Sequence, residues 1–214
     1  MNNYVITDKR NGMNLCGRYI VGIDVGVGGY IALLNIDTFA VQFFPLPVTY
    51  YLSRKKNKAG ETCQRRRRRI DEKKLIALIN RLAQPMTLCF VVEHQAPFPG
   101  GQGIASTSKL LYLYGLIKGM IMQTNILIET PKPVQWKRAL GLIAPRAKNG
   151  QVNIPVTTYQ KKCKAWELCV HLFPELREKL IPKSYSFDKA EALLLAYFGL
   201  QFKAEKLGVK ESAA

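Results

Sequence analysis

Asp24 closes the apolar run YIVGID, Glu93 closes LCFVVE, and Asp188 and Glu191 open DKAEALLLAYFGL. A carboxylate at the edge of a buried strand loses solvation and needs a compensating partner such as a metal ion. Asp and Glu oxygens are hard donors suited to Mg²⁺ or Mn²⁺, and neither His94 nor His171 has a partner at zinc-ligand spacing. Four such residues point to one metal site and to metal-assisted phosphoryl transfer. Each also has a plainer role. Asp24 precedes Val25-Gly26-Val27-Gly28-Gly29 and fits a turn, whereas Asp188 and Glu191 fit the first turn of a helix whose dipole favours acids there. Glu93 is harder to dismiss, because glutamate is poor in strands and here follows Leu88-Cys89-Phe90-Val91-Val92 directly.

Basic residues form a second constellation. Lys137 and Arg138 follow Trp136 after a proline turn, and Lys161, Lys162 and Lys164 open a helix. Solvated faces account for most such runs, but a lysine beside the carboxylates can neutralise charge developing on a phosphoryl transition state. Lys162 and Lys164 both remain candidates. Arg65, Arg66, Arg67, Arg68 and Arg69, with Lys55, Lys56 and Lys58, belong to a polar stretch without periodicity. The stretch is expected to be a long loop at about 48–69 that contacts several phosphates, or else is simply solvated.

The elements that must position these groups can be read from hydrophobic period. Arg18–Asp24, Tyr30–Ile36 and Phe39–Phe44 read as three strands joined by GVGG and NID, a meander. Asp71–Ala83 is an amphipathic helix and Thr87–Val92 a buried strand. Ser106–Gln123 reads as a mostly buried helix with Gly115 and Gly119 on one face. Asn125–Ile128 reads as a short strand, and Gln160–Leu172 and Asp188–Phe202 as helices. Three strands, helix, strand, helix, strand, helices is the order expected of an α/β, ribonuclease H-like domain with a mixed five-stranded sheet flanked by helices. The expected organisation is an extension over 1–17, that domain over 18–204 and a tail over 205–214.

With 214 residues the chain suits one well-buried domain. Thirty-two Lys and Arg against 15 Asp and Glu give a formal charge of +17, in a chain 48% hydrophobic: a folded basic protein whose partner is a polyanion, nucleic acid rather than a membrane. Five cysteines without C-x-x-C spacing indicate a reducing compartment, and the polar N-terminus resembles no signal peptide. The cytoplasm of a bacterial or phage-infected cell is expected, with an organelle left open.

GIDVGVGGYIALL, VVEHQAPFPGGQG, KLLYLYGLIKGMI, TPKPVQWKRALGL, LFPEL and DKAEALLLAYFG resemble, in this order, the RuvC-type Holliday junction resolvases, above all the plastid type of plants and its bacterial and phage relatives. The resemblance runs over roughly residues 18–202. It implies a homodimeric, Mg²⁺-dependent endonuclease, with Mn²⁺ as a substitute and two ions per active site, that makes paired nicks in four-way DNA junctions. It assigns metal ligation to Asp24, Glu93, Asp188 and Glu191, and an active-site lysine to Lys137. Glu191 departs from the bacterial RuvC pattern, where Asp stands, and agrees with the plastid type. Rival readings are a nuclease of RNA–DNA hybrids, an actin-like ATPase suggested by GIDVGVGG but short of a second domain, and an architectural DNA-binding protein, which leaves four edge carboxylates unexplained.

Overall fold

A computed structural model describes residues 6–8, 13–15, 18–56, 61–97, 103–143, 157–181 and 183–203. Most of the extension 1–17 and the whole tail 205–214 lie outside the described residues, as does Lys58. Strands β1 (Ile6–Asp8) and β2 (Met13–Leu15) form a small antiparallel pair. Then follow β3 (Tyr19–Ile23), β4 (Tyr30–Asn35), β5 (Val41–Pro45), β6 (Val48–Lys56) and β7 (Thr62–Ile70). Helix α1 (Glu72–Leu82) leads to β8 (Thr87–Val92), α2 (Ile104–Met122) to β9 (Leu127–Glu129), and α3 (Pro133–Ala139), α4 (Thr158–Leu172) and α5 (Ser184–Lys203) complete the order.

Five strands make one sheet in the order β5-β4-β3-β8-β9. The meander β3–β4–β5 is antiparallel, whereas β8 runs parallel to β3 and β9 parallel to β8, each reached through a helical crossover. This is the ribonuclease H-like sheet. Strand β3 sits at its centre and is buried on both faces. Its side chains alternate between two cores: Ile20 packs with α3, α4 and α5 residues including Trp136, Cys169 and Leu193, and Val21 and Ile23 pack with Leu75 and Ile79 of α1 and Leu113 and Ile117 of α2.

Helix α5 reaches the sheet through glycine. A Cβ on Gly22 would run into the backbone oxygen of Ala192 and lie 2.5 Å from the backbone nitrogen of Ala196, and one on Gly199 would lie 2.6 Å from a methyl of Val91. Side-chain-free positions on strand and helix therefore allow closer approach than ordinary sheet–helix packing permits. The helix starts at Ser184, four residues before the expected Asp188, so the two acids stand beyond its first turn and do not cap its dipole.

Two other expectations change. Within the stretch 48–69, residues 48–56 and 62–69 are antiparallel strands, β6 on β7, not a loop. Its strands are solvated and arginine-rich, so they lack the apolar alternation by which a strand is recognised. Helix α2 buries only the stripe Leu113, Ile117 and Ile121. Gly115 and Gly119 are exposed with open space where a Cβ would stand, because the sheet covers one face of a helix that is apolar nearly all round.

The contact at Gly22 yields the first prediction. Gly22→Ala meets backbone atoms that no side-chain rotation can move, so it lowers unfolding stability by about 3 kcal/mol, the upper end of the usual overpacking cost. Urea denaturation followed by circular dichroism measures this; an unchanged midpoint would show that α5 is not seated on β3.

Candidate metal centre

The register of β3 on β8 sets two of the acids side by side. Ile23 pairs with Val92 in the parallel ladder, and Asp24 and Glu93 each follow at the carboxyl end of their strand. The Asp24 amide donates to the Tyr30 carbonyl at 3.0 Å, which holds the turn into β4 against the strand end. From the other side α5 brings Asp188 and Glu191, one helical turn apart on the same face. Carboxylate oxygens of Asp24, Asp188 and Glu191 lie within 4.8 Å of one another, each residue half-buried.

Lysines from two further helices close the cluster. Lys137 of α3 donates from Nζ to Glu191 Oε1 at 2.7 Å and stands 4.0 Å from Glu93 Oε1. Lys162 of α4 donates to Asp188 Oδ1 at 2.7 Å. Glu93 stands outside that group of three and has its own partners: Trp136 Nε1 donates to Oε1 at 2.9 Å and Gln95 Nε2 to Oε2 at 3.0 Å. Trp136 is fully buried and Lys137 lies 4.9 Å from the centre of its ring. The sequence reading names Trp136 only as a neighbour of Lys137 and assigns Gln95 nothing. Its position two residues beyond Glu93 is the one signal available for it.

Burial and the neighbouring acids shift these groups. The Asp24 carboxyl is raised well above the usual carboxylate range, first by desolvation, then by Glu191, Glu93 and Asp188, with Lys162 opposing. Desolvation also raises Glu93, against the pull of Lys137 and the Trp136 hydrogen bond. Burial by itself would lower both lysines, but Glu191 and Glu93 around Lys137, and Asp188 beside Lys162, outweigh it and raise them, so both remain cations. The donor set suits a hard divalent cation: it consists of carboxylate oxygens alone, and the two lysines leave negative charge over for one.

Of the other residues singled out from sequence, Lys164 and Arg138 are exposed and Lys162 alone of the α4 pair reaches the cluster. Helix phase explains the choice, since Lys162 lies three and seven residues before the buried Ala165 and Cys169. Arg65 to Arg69 are on β7, and a guanidinium nitrogen of Arg68 is 4.0 Å from the place a Cβ on Gly28 would take, near the cluster. His94 sets its ring against Tyr114, centroids 5.6 Å apart, and His171 is exposed. Beside Glu93 opens a cleft of about 660 Å³ lined by Gln95, Pro97, Leu110 and Lys132 among others. No helix among the described residues is long and apolar enough to cross a membrane.

No family model and no curated protein matches the chain. Among solved structures, RuvC from Thermus thermophilus is similar at 13% identity over 86% of this chain and 96% of that one, with a TM-score of 0.41. T. thermophilus RuvC in complex with a Holliday junction substrate is similar at 14% identity over 89% and 97%, with a TM-score of 0.45. Both are likenesses of fold, which the strand order of the sheet establishes without them.

A carboxyl raised in the folded protein stabilises the fold below its unfolded value, near pH 4, and that contribution is lost as pH climbs toward the folded value. In chelator, therefore, the protein loses stability as pH rises above about 4 through the range where Asp24 ionises. Asp24→Asn has no proton to lose there and is more stable than the wild type at pH 7, an advantage that shrinks toward pH 4. Thermal melts at pH 4 and pH 7 in EDTA measure the difference, and a variant that melts below the wild type at pH 7 contradicts it.

Proposed function

We propose that this protein is a structure-selective endodeoxyribonuclease that resolves four-way DNA junctions by paired, metal-dependent nicks leaving 5′-phosphate ends. The observation that carries the nuclease reading is the convergence of Asp24, Asp188 and Glu191, with Glu93 alongside, at the carboxyl edge of the two central strands of a strongly basic protein. Choice of the junction as substrate is supported by the six sequence segments that resemble RuvC-type resolvases in order. The nuclease domain spans 18–204 in this reading, and the protein works in the cytoplasm.

Asp24, Asp188, Glu191 and Glu93 would hold Mg²⁺, with Mn²⁺ as a substitute and two ions per site. Bound there, the cations supply an activated water and stabilise the attacking and leaving oxygens of an in-line displacement. The chain's own residues prepare that chemistry. Trp136 and Gln95 fix both oxygens of Glu93, so its orientation does not depend on the cation. Lys137 stays protonated among Glu191 and Glu93 and offers positive charge where a phosphoryl group gains negative charge. Lys162 does the same beside Asp188. Arg138, Lys164 and Arg65 to Arg69 contact DNA phosphates.

A four-way junction has two strands to cut, and a two-fold dimer supplies two sites. The exposed face of α2 suits that dimer: Gly115 and Gly119 let a second backbone approach, and Tyr112 and Met122 are more than half exposed.

Denaturing-gel mapping on a labelled junction tests the proposal. Symmetric nicks that need Mg²⁺ are expected on the junction, with little cutting of duplex or RNA–DNA hybrid; preferred cutting of hybrid, or binding without cutting, overturns it. Asp24→Asn, Glu93→Gln, Asp188→Asn and Glu191→Gln each lower the rate at least about a hundredfold while junction binding persists. Lys137→Ala lowers the single-turnover rate at saturating DNA by about 10²–10³-fold and leaves affinity nearly unchanged. A loss of affinity without loss of that rate would make Lys137 a positioning contact.

A further inference from the structure

Strands β6 and β7 pair without a break from Val48 against Ile70 to Lys56 against Thr62. Directly paired residues share a face of an antiparallel ladder. Tyr50, Leu52 and Arg54 therefore lie with Gln64, Arg66 and Arg68 on one face, and Tyr51 and Ser53 with Arg65, Arg67 and Arg69 on the other. Both faces meet solvent: Tyr50 is 51% exposed and Leu52 67% on the first, Tyr51 36% on the second, and Arg65, Arg66, Arg68 and Arg69 are all exposed. Residues 48–70 carry nine Lys and Arg against the single acid Glu61. A two-stranded ribbon with apolar and aromatic groups exposed on such a field is marginal unless something covers it, and the charge makes that occupant a polyanion.

We infer that the β6–β7 hairpin is a ribbon that enters the major groove of a duplex DNA arm and is gripped there on both faces. That the polyanion is DNA rests on the proposed function; the manner of binding comes from the ribbon itself. A partner lying flat on one face would leave the arginines of the other against water, whereas a groove sets phosphate walls on either side. Two strands about 4.8 Å apart with their side chains fit a groove about 12 Å wide and not the minor groove of about 6 Å. Nine residues at about 3.4 Å each give a ribbon of about 30 Å, long enough to follow the groove.

Arginine adds a further argument. Its planar fork matches O6 and N7 of guanine as well as phosphate. The Arg66 guanidinium lies 3.9 Å over the Tyr50 ring, and Arg69 stands 6.0 Å from the centre of Tyr51, so aromatic rings limit the freedom of arginines on each face. Arg67 donates from Nε to Ser53 Oγ at 3.2 Å, which braces it along the ribbon. At the ribbon's root Arg68 and Arg69 meet Lys109 of α2 around a pocket of about 200 Å³. Arg68 there comes close to Gly28 in the turn that follows Asp24, so the root of the ribbon abuts the strand connection that carries that acid.

The test uses the full-length protein in EDTA, bound to a four-way junction and to a plain duplex of one arm's sequence. Methylation of guanine N7 by dimethyl sulfate probes the major groove. Wild type protects a cluster of guanines on both DNAs. Arg54→Ser with Arg66→Ser, and separately Arg65→Ser with Arg67→Ser, each abolish that protection, weaken duplex binding at least about tenfold near 0.1 M salt, and flatten the slope of log K against log salt by about two. Effects from only one pair mean a flat, one-faced contact and overturn the inference, as does tight binding without guanine protection. In a parallel reaction with Mg²⁺, junction cutting by a protein that shows no protection rejects the ribbon and keeps the nuclease; protection on duplex with no cutting of junctions does the reverse.

Discussion

Ionised carboxylates drawn together at the edge of an apolar sheet repel one another where water screens them poorly, and much of this fold can be understood as an arrangement for holding them there. Asp24, Asp188 and Glu191 come within 4.8 Å of one another although Asp24 follows β3 and the other two belong to α5, far along the chain. Two helices, α3 and α4, each contribute a lysine whose ammonium group lies 2.7 Å from one acid. Those lysines are themselves partly desolvated, and the acids beside them more than offset that cost. The lysines thus offset part of the acids' burial, and removing a lysine leaves the acids less compensated than before.

Such a balance requires backbone placed to within a fraction of an ångström, and the sheet–helix contact provides it. The missing side chains at Gly22 and Gly199 let α5 rest on β3 and β8, the two strands that carry Asp24 and Glu93 at their ends. Parallel pairing brings those ends level. Ala192 and Ala196 of α5 lie against Gly22 and Gly199 lies against Val91 and Ile20, so the rotation of the helix about its axis is fixed, and with it the direction of Asp188 and Glu191. Packing, in other words, sets the electrostatics.

Where a residue's place followed from burial and period, the sequence disclosed it. Thr87–Val92 is a strand of the predicted extent, and a buried run ending in an acid singled out Asp24 and Glu93, whose strand ends the parallel register sets side by side. Asp188 and Glu191 were found for their spacing, but their place in the helix was not, because α5 begins with Ser-Tyr-Ser-Phe, a segment without helical apolar period whose Phe187 packs instead on Tyr159. The hairpin was missed altogether: strands that face water on both sides carry no alternation, and the β-formers Val48, Thr49, Tyr50 and Tyr51 were the only hint. Lys162 was separable from Lys164 by helix phase once Ala165 and Cys169 were taken as buried. Trp136 as a hydrogen-bond donor to Glu93 was beyond reach, since 43 residues separate them and only the fold brings them together.

The seat of α5 on Gly22 also has a bearing on the birth of the molecule. Asp24 leaves the ribosome about 160 residues ahead of Asp188. At ordinary rates of elongation, about 5–20 residues per second, this is a wait of roughly 10–30 s. Throughout it the nascent chain holds strand-end acids with no helix opposite them, and so no assembled cluster. The two halves of the chain therefore become one acidic centre only after the last helix has been made.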